Sequence, residues 1–106
     1  MKRYSVSFVP QALDDIQNSY EWGVEVWGQE AAEKWLVELH EAVFQRLTHF
    51  PRSCGTAPEA DESDGDIRQL HFLRYRVIFE IRKKEVIVLR VAGPHRGAVE
   101  EYSHEN

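Results

Sequence analysis

Several residues in the last third of the chain have side chains that could bind an anion or move a proton. Arg76 lies in a run of alternating residues, while His95 and Arg96 follow the last apolar run. The guanidinium of arginine pairs with two phosphate oxygens and keeps its charge at physiological pH. Histidine can donate or accept a proton near neutrality. This chemistry requires a fold that brings such residues to one place.

Each of these residues also has a purely structural explanation. Arg76 can form an ion pair with Glu80 or Glu85 across a hairpin. His95 can be a surface histidine and Arg96 an exposed cation. Tyr102 can be an aromatic residue packed on a sheet edge. The choice between these alternatives therefore depends on the surrounding elements.

Other kinds of chemistry have little support in the sequence. The acidic stretch DESDGD resembles a calcium loop in composition but lacks its spacing and final glutamate. Cys54 is the only cysteine, so an intrachain disulfide is excluded, and no strong activating neighbour accompanies it. We expect neither a metal nor a cofactor. The lone cysteine favours a reducing cytoplasm, and neither a signal peptide nor a membrane-spanning run is expected.

The charge is distributed unevenly along the 106 residues, whose net charge is −5. Residues 67–99 contain eight Lys or Arg against two Asp or Glu, whereas residues 1–66 contain five against thirteen. Such asymmetry suggests two surfaces with different partners, although ordinary solvated surface explains it equally well. The length predicts one domain over residues 1–106.

The N-terminal half predicts a strand followed by two helices. Tyr4, Val6 and Phe8 alternate with polar residues as in a strand with one buried face. Pro10 suits the first turn of a helix, and Gly28 suits its end. A second helix carries an apolar stripe at steps of three and four residues and is ended by Pro51: Ala32, Trp35, Leu36, Leu39, Val43, Leu47 and Phe50.

The C-terminal half predicts a three-stranded antiparallel meander. Residues 52–66 are small, polar and acidic, and we expect a surface loop there. Strands follow over residues 67–72, 75–82 and 86–91, the last one so apolar that it should lie inside the sheet. Residues 93–106 are expected to form a C-terminal arm. Helices on one face of this sheet give a two-layer α+β fold.

The element order and two sequence stretches resemble the RelE/ParE toxin superfamily. The stretches are RQLHFLRYRVIFEI and VIVLRVAGPHRGAVEEY, and the resemblance covers nearly the whole chain. It implies a RelE/ParE-like fold and a toxin of a type II toxin–antitoxin pair, or plasmid stabilisation protein. It also implies a cognate antitoxin as partner, and either a homodimer of this chain or a hetero-oligomer with the antitoxin.

The resemblance implies two very different targets. RelE-like members cut messenger RNA on the ribosome, and ParE-like members poison DNA gyrase by binding. By analogy with the nucleases, Arg76, Arg96 and Tyr102 are candidate catalytic residues, with His95 or His71 as a substitute base. Three further arginines are candidates for RNA or phosphate binding: Arg68, Arg74 and Arg90.

The leading prediction is a ribosome-dependent mRNA endonuclease that needs no metal. The strand at residues 67–72 lacks the lysines usual in such nucleases, and the net charge is negative rather than positive. The alternatives are therefore a ParE-like gyrase inhibitor, whose binding surface needs no catalytic base, and a family member that has lost its toxicity.

Overall fold

The computed structural model describes residues 3–93, which form five strands and two long helices. The elements are β1 (Ser5–Phe8), α1 (Pro10–Trp27), α2 (Gln29–His49), β2 (Gly55–Thr56), β3 (Asp66–Phe72), β4 (Tyr75–Arg82) and β5 (Glu85–Ala92), with 3-10 helices η1 (Pro51–Ser53) and η2 (Pro58–Glu62). Across the described residues, neither helix is apolar enough over a sufficient length to span a membrane.

The two helices form an antiparallel hairpin, as the sequence predicts. Pro10 occupies the first turn of α1, where its missing N–H has no intrahelical acceptor to lose. Gly28 joins α1 to α2 with a φ of +100°, a conformation that residues with a side chain rarely adopt. Beyond the second helix, Pro51 opens η1. The loop between the helices is therefore one residue long.

The sheet has the strand order β1-β5-β4-β3-β2. Its C-terminal meander is antiparallel, with two-residue turns at Leu73–Arg74 and Lys83–Lys84. β1 pairs with β5 in parallel, which is possible because the helical hairpin separates them in sequence. The predicted interior position of the last strand is confirmed, since β5 lies between β1 and β4.

The core lies between the helices and one face of the sheet. Alternation along β4 directs four buried side chains toward the helices: Tyr75, Val77, Phe79 and Ile81. They pack against Trp35, Leu39, Val43 and Leu47 of α2 and against Val86, Val88 and Val91 of β5. A bulge next to Ile78 leaves Leu89 without a partner on β4, so Val91 rather than Arg90 continues the buried row.

The acidic segment is more structured than the loop expected over residues 52–66. It contains η1, the short strand β2 and η2, and only the stretch between η2 and β3 is irregular. Ala57, Ile67 and Ile78 form a second buried cluster, with Ala60 of η2 packed against it. The segment folds because its alanines cover apolar side chains that the helices do not reach, on the other face of the sheet.

Candidate functional site

Arg76 lies on the sheet face opposite the helices, and its guanidinium is already bound. Nη2 is 2.9 Å from Oε2 of Glu59, and Nη1 is 2.6 Å from Oε1 of Gln69. Nη1 also lies 3.3 Å from the second carboxylate oxygen of Glu59. The partner predicted from the hairpin was Glu80 or Glu85, and the structure instead provides an acidic residue of η2. The Glu59 carboxylate therefore neutralises the positive charge that Arg76 would need to bind a phosphate.

The ion pair has a predictable pH dependence. Hydrogen bonding to Arg76 lowers the pKa of Glu59 below its usual 4.5. A depressed folded-state pKa contributes stability that is present above the unfolded-state pKa and is lost as pH falls through the folded value. We expect Glu59→Gln to lower the free energy of unfolding by less than about 1 kcal/mol at pH 7, because the pair is partly exposed.

Urea unfolding at several pH values measures this effect. The difference between the wild-type protein and Glu59→Gln should shrink as pH falls from 5 toward 3. A difference that stays constant over that range would contradict an ionised Glu59 as the partner of Arg76. Glu62→Gln, in the same 3-10 helix and exposed, is the matched control.

Arg68 is bound to the polypeptide that surrounds it. Its Nε lies 3.0 Å from Oδ1 of Asp66, and its Nη1 donates to the carbonyl oxygens of Arg52 and Cys54 at 2.9 and 2.8 Å. Arg52 reaches the other carboxylate oxygen of Asp66. This network fastens the segment before β2 to β3, so Arg68 has a structural role in this arrangement.

Arg90 forms the most buried ion pair among the described residues. Its Nε and Nη2 donate to the two carboxylate oxygens of Asp15 at 2.8 and 3.1 Å. The backbone N–H of Val91 also donates to Asp15, at 2.9 Å. The Asp15 side chain is 2% exposed. Because β1 ends opposite Val88, this carboxylate accepts the hydrogen bond from a β5 backbone N–H that β1 does not reach.

Arg74 differs from the other described candidates. It lies in the exposed β3–β4 turn beside Leu73, which is 72% exposed and has a φ of 55°. Among residues 3–93, no hydrogen bond or ion pair engages its guanidinium. Three candidates fall outside the described residues: His95, Arg96 and Tyr102. The convergence of Arg76 with Arg96 therefore stays a prediction.

The two layers carry opposite charge. The helical hairpin, residues 10–49, contains eight carboxylates and only two cations, Lys34 and Arg46. Strands β3 to β5, residues 66–92, contain seven cations and three carboxylates. Within residues 3–93, no group of three His, Cys, Asp or Glu side chains is placed to hold a metal ion. Within the described residues, the helical layer and the sheet therefore present charged surfaces of opposite sign.

Two residues that shape this surface were not predicted from the sequence. Glu59 was assigned to a loop, although Pro58 and the spacing of Ala57 and Ala60 are typical of a packed turn. No partner was predicted for Asp15, although it falls one residue before Ile16 on the buried side of α1. A carboxylate on a buried helix face requires a cationic or N–H partner, and that signal was available.

Comparison with known structures supports the fold. A chain of the chromosomal ParDE toxin–antitoxin system from P. aeruginosa is 24% identical, with a TM-score of 0.71, and the match covers 86% of this chain and 96% of that chain. A chain of the toxin–antitoxin complex RelBE2 from Mycobacterium tuberculosis is 20% identical, with a TM-score of 0.64 and coverages of 88% and 93%. At these identities the similarity establishes the fold alone.

Sequence comparison identifies the family. No curated protein sequence matches the chain. The sequence model that describes the ParE toxin of the type II toxin–antitoxin system parDE matches residues 6–96, which is most of the chain. The superfamily expected from the sequence is thereby confirmed. The chain belongs to the ParE toxin family of type II toxin–antitoxin systems.

Proposed function

We propose that this toxin acts by binding to DNA gyrase and inhibiting it, rather than by cutting messenger RNA. The observation that carries the proposal is the state of three of the four candidate arginines that the structure describes. Arg76, Arg68 and Arg90 each bind a carboxylate of the chain itself. A phosphate would have to displace those carboxylates, at the cost of leaving them unpaired.

Charge and sequence add to this argument. An RNA-binding protein gains affinity from a positive surface, because each neutralised phosphate releases counterions. Here the helical layer is acidic and β3 contains no lysine that could serve as a general base. The family match to ParE toxins points the same way, since ParE-like members are the gyrase poisons of the superfamily. The endonuclease that the sequence favoured first becomes the competing outcome of the test.

The β3–β4 turn is the surface that we assign to the target. Leu73 presents an exposed apolar side chain beside Arg74, whose guanidinium has no partner within residues 3–93. The turn lies near the end of β5, because Arg76 pairs with Ala92 in the sheet. His95, Arg96 and Tyr102 follow that strand in sequence and lie outside the described residues.

The partners and the compartment follow from this proposal. A cognate antitoxin, the partner present in the ParDE and RelBE2 systems that share the fold, is expected to hold the toxin inactive. We place the activity in the cytoplasm, where gyrase acts and where the unpaired Cys54 stays reduced.

Expression of the toxin from a tightly repressed promoter tests the proposal in cells. We expect growth arrest with a DNA-damage response and intact messenger RNA, and co-expressed antitoxin should prevent both effects. Arg74→Glu should weaken the arrest, with about a tenfold higher dose needed, because it reverses a charge at the contact surface. Lys84→Glu is the matched control, since it occupies the equivalent position of the β4–β5 turn.

Cleavage of messenger RNA within codons, mapped by sequencing of 5′ ends, would contradict the proposal and restore the endonuclease. If Arg74→Glu and Lys84→Glu weakened the growth arrest equally, the assignment of the β3–β4 turn would be contradicted. The change in net charge alone would then explain the effect.

A further inference from the structure

A groove runs along the outer edge of β3, on the side of the sheet that carries the helices. Its volume is about 670 Å³, and it is bounded by the C-terminal half of α2 and by β3. We call it the β3-edge groove. Its lining residues are Ala42, Gln45, Arg46, His49, Phe50, Leu70 and His71.

One rim of the groove is a strand edge that β2 leaves uncovered. β2 pairs only with Arg68 and Gln69, and the N–H of Ala57 donates to the outward-facing carbonyl of Ile67. In an antiparallel ladder, every second residue directs its N–H and C=O to the same side. Gln69 and His71 therefore face outward with Ile67. Within residues 3–93, no backbone group pairs with the N–H and C=O of His71 on that side.

The other rim supplies an apolar surface and positive charge. Phe50 is 64% exposed, and Leu70 lies beside it on the groove wall. Arg46 donates from Nε to the Ser53 hydroxyl at 2.9 Å and is hydrogen-bonded to the side chain of Cys54, but no carboxylate of residues 3–93 pairs with it. Nδ1 of His49 lies 3.0 Å from the carbonyl oxygen of Gln45, and no group of residues 3–93 binds its Nε2. No carboxylate of the described part of the chain lines the groove, although the protein carries a net charge of −5.

We propose that the β3-edge groove binds an extended, acidic segment of the antitoxin, which adds to the sheet as a strand beside Leu70–Phe72. Backbone hydrogen bonds to His71 set the register, an apolar side chain of the segment packs on Phe50 and Leu70, and a carboxylate pairs with Arg46. A peptide complements an open strand edge in a way that a nucleic acid does not. The inference concerns the antitoxin and is independent of the cellular target.

Hydrogen exchange at individual amides tests this directly in the complex of toxin and antitoxin. In the free toxin, the His71 amide should exchange fast, whereas those of Leu70 and Phe72 face β4 and are protected. In the complex, we expect the exchange of the His71 amide to slow by at least about tenfold, as a new strand hydrogen bond requires. An unchanged His71 amide in the complex would overturn the proposal.

Matched variants separate the backbone contact from the side chain. His71→Pro removes the outward N–H without breaking the ladder to β4, and we expect the Kd for the antitoxin to rise about tenfold. His71→Ala keeps that N–H, so it should raise the Kd less than His71→Pro does. If His71→Pro fails to fold, Arg46→Glu gives an independent measurement, with Lys34→Glu on the exposed face of α2 as its control.

Three results would contradict the inference. The first is an equal Kd for His71→Pro and His71→Ala, and the second is an equal effect of Arg46→Glu and Lys34→Glu on that Kd. The third is protection of the His71 amide in the concentrated free toxin, which would assign the groove to a second copy of this chain. None of these outcomes depends on gyrase, so failure here leaves the target proposal intact.

Discussion

Asp15→Ala is expected to lower the free energy of unfolding by about 2–4 kcal/mol. Asp15 accepts two hydrogen bonds from Arg90 and one from the N–H of Val91, and its side chain is 2% exposed. Removal of the carboxylate leaves the N–H of Val91 without an acceptor in a buried position. Arg90 is 41% exposed and can turn to water, which keeps the loss below that of a fully buried pair.

Urea unfolding followed by circular dichroism measures this loss. Asp14→Ala is the matched control, because the neighbouring carboxylate is exposed, and its effect should stay within about 0.5 kcal/mol. Arg90→Ala should also lower the stability strongly, since it leaves the buried Asp15 carboxylate without its cation. Equal stability of the two aspartate variants would show that Asp15 does not hold α1 to β5.

Gly93→Ala is expected to lower the free energy of unfolding by about 1–3 kcal/mol, although it adds a single methyl group. A Cβ at this position would overlap Cε2 of Tyr75 and lie 2.8 Å from Cδ2 and 2.9 Å from Cζ of the same ring. The ring cannot yield easily, since it is 3% exposed, its centroid is 5.1 Å from that of Trp35 and its hydroxyl is hydrogen-bonded to Ser19. The overlap must instead displace the backbone after β5.

Gly55→Ala is the control for this prediction. Nothing lies within 4 Å of the Cβ that it would add, so its thermal midpoint should match that of the wild-type protein. Gly93→Ala should lower the midpoint by several degrees, because about 1 kcal/mol corresponds to about 4–8 °C in a domain of this size. Identical midpoints for the two alanine variants would mean that the backbone at residue 93 moves without cost.

The regular elements could be predicted because their periodicities are strong. The helical stripe of α2 and the alternation of β4 both follow from burial on one face, and each recurs over at least two turns or four residues. The predicted starts and ends agree closely with the structure, because proline lacks the N–H that a continuing helix needs and Gly28 adopts a φ of +100° that other residues rarely adopt.

The acidic segment was harder to predict because its order comes from tertiary contacts. Residues 52–66 lack an apolar run of their own, and they fold since Ala57 and Ala60 cover Ile67 and Ile78. Such a cluster joins residues that are distant in sequence, and no local pattern reveals it. The same contact brings Glu59 to Arg76.

The candidate site was only partly accessible from the sequence. Residue type and strand position correctly placed Arg76 on the sheet face away from the core. Whether an arginine is available depends on a carboxylate that reaches it from elsewhere, 17 residues away for Glu59 and 75 residues away for Asp15. Only three-dimensional proximity distinguishes Arg74, which no group of residues 3–93 engages, from a paired arginine.

The central claim is tested most directly by a supercoiling assay with purified DNA gyrase, relaxed plasmid and purified toxin, run beside an RNA-cleavage assay with programmed ribosomes. The account predicts that the toxin blocks supercoiling at saturating concentration, that added antitoxin relieves the block, and that messenger RNA on the ribosomes stays whole. Full supercoiling activity together with cut messenger RNA would contradict it.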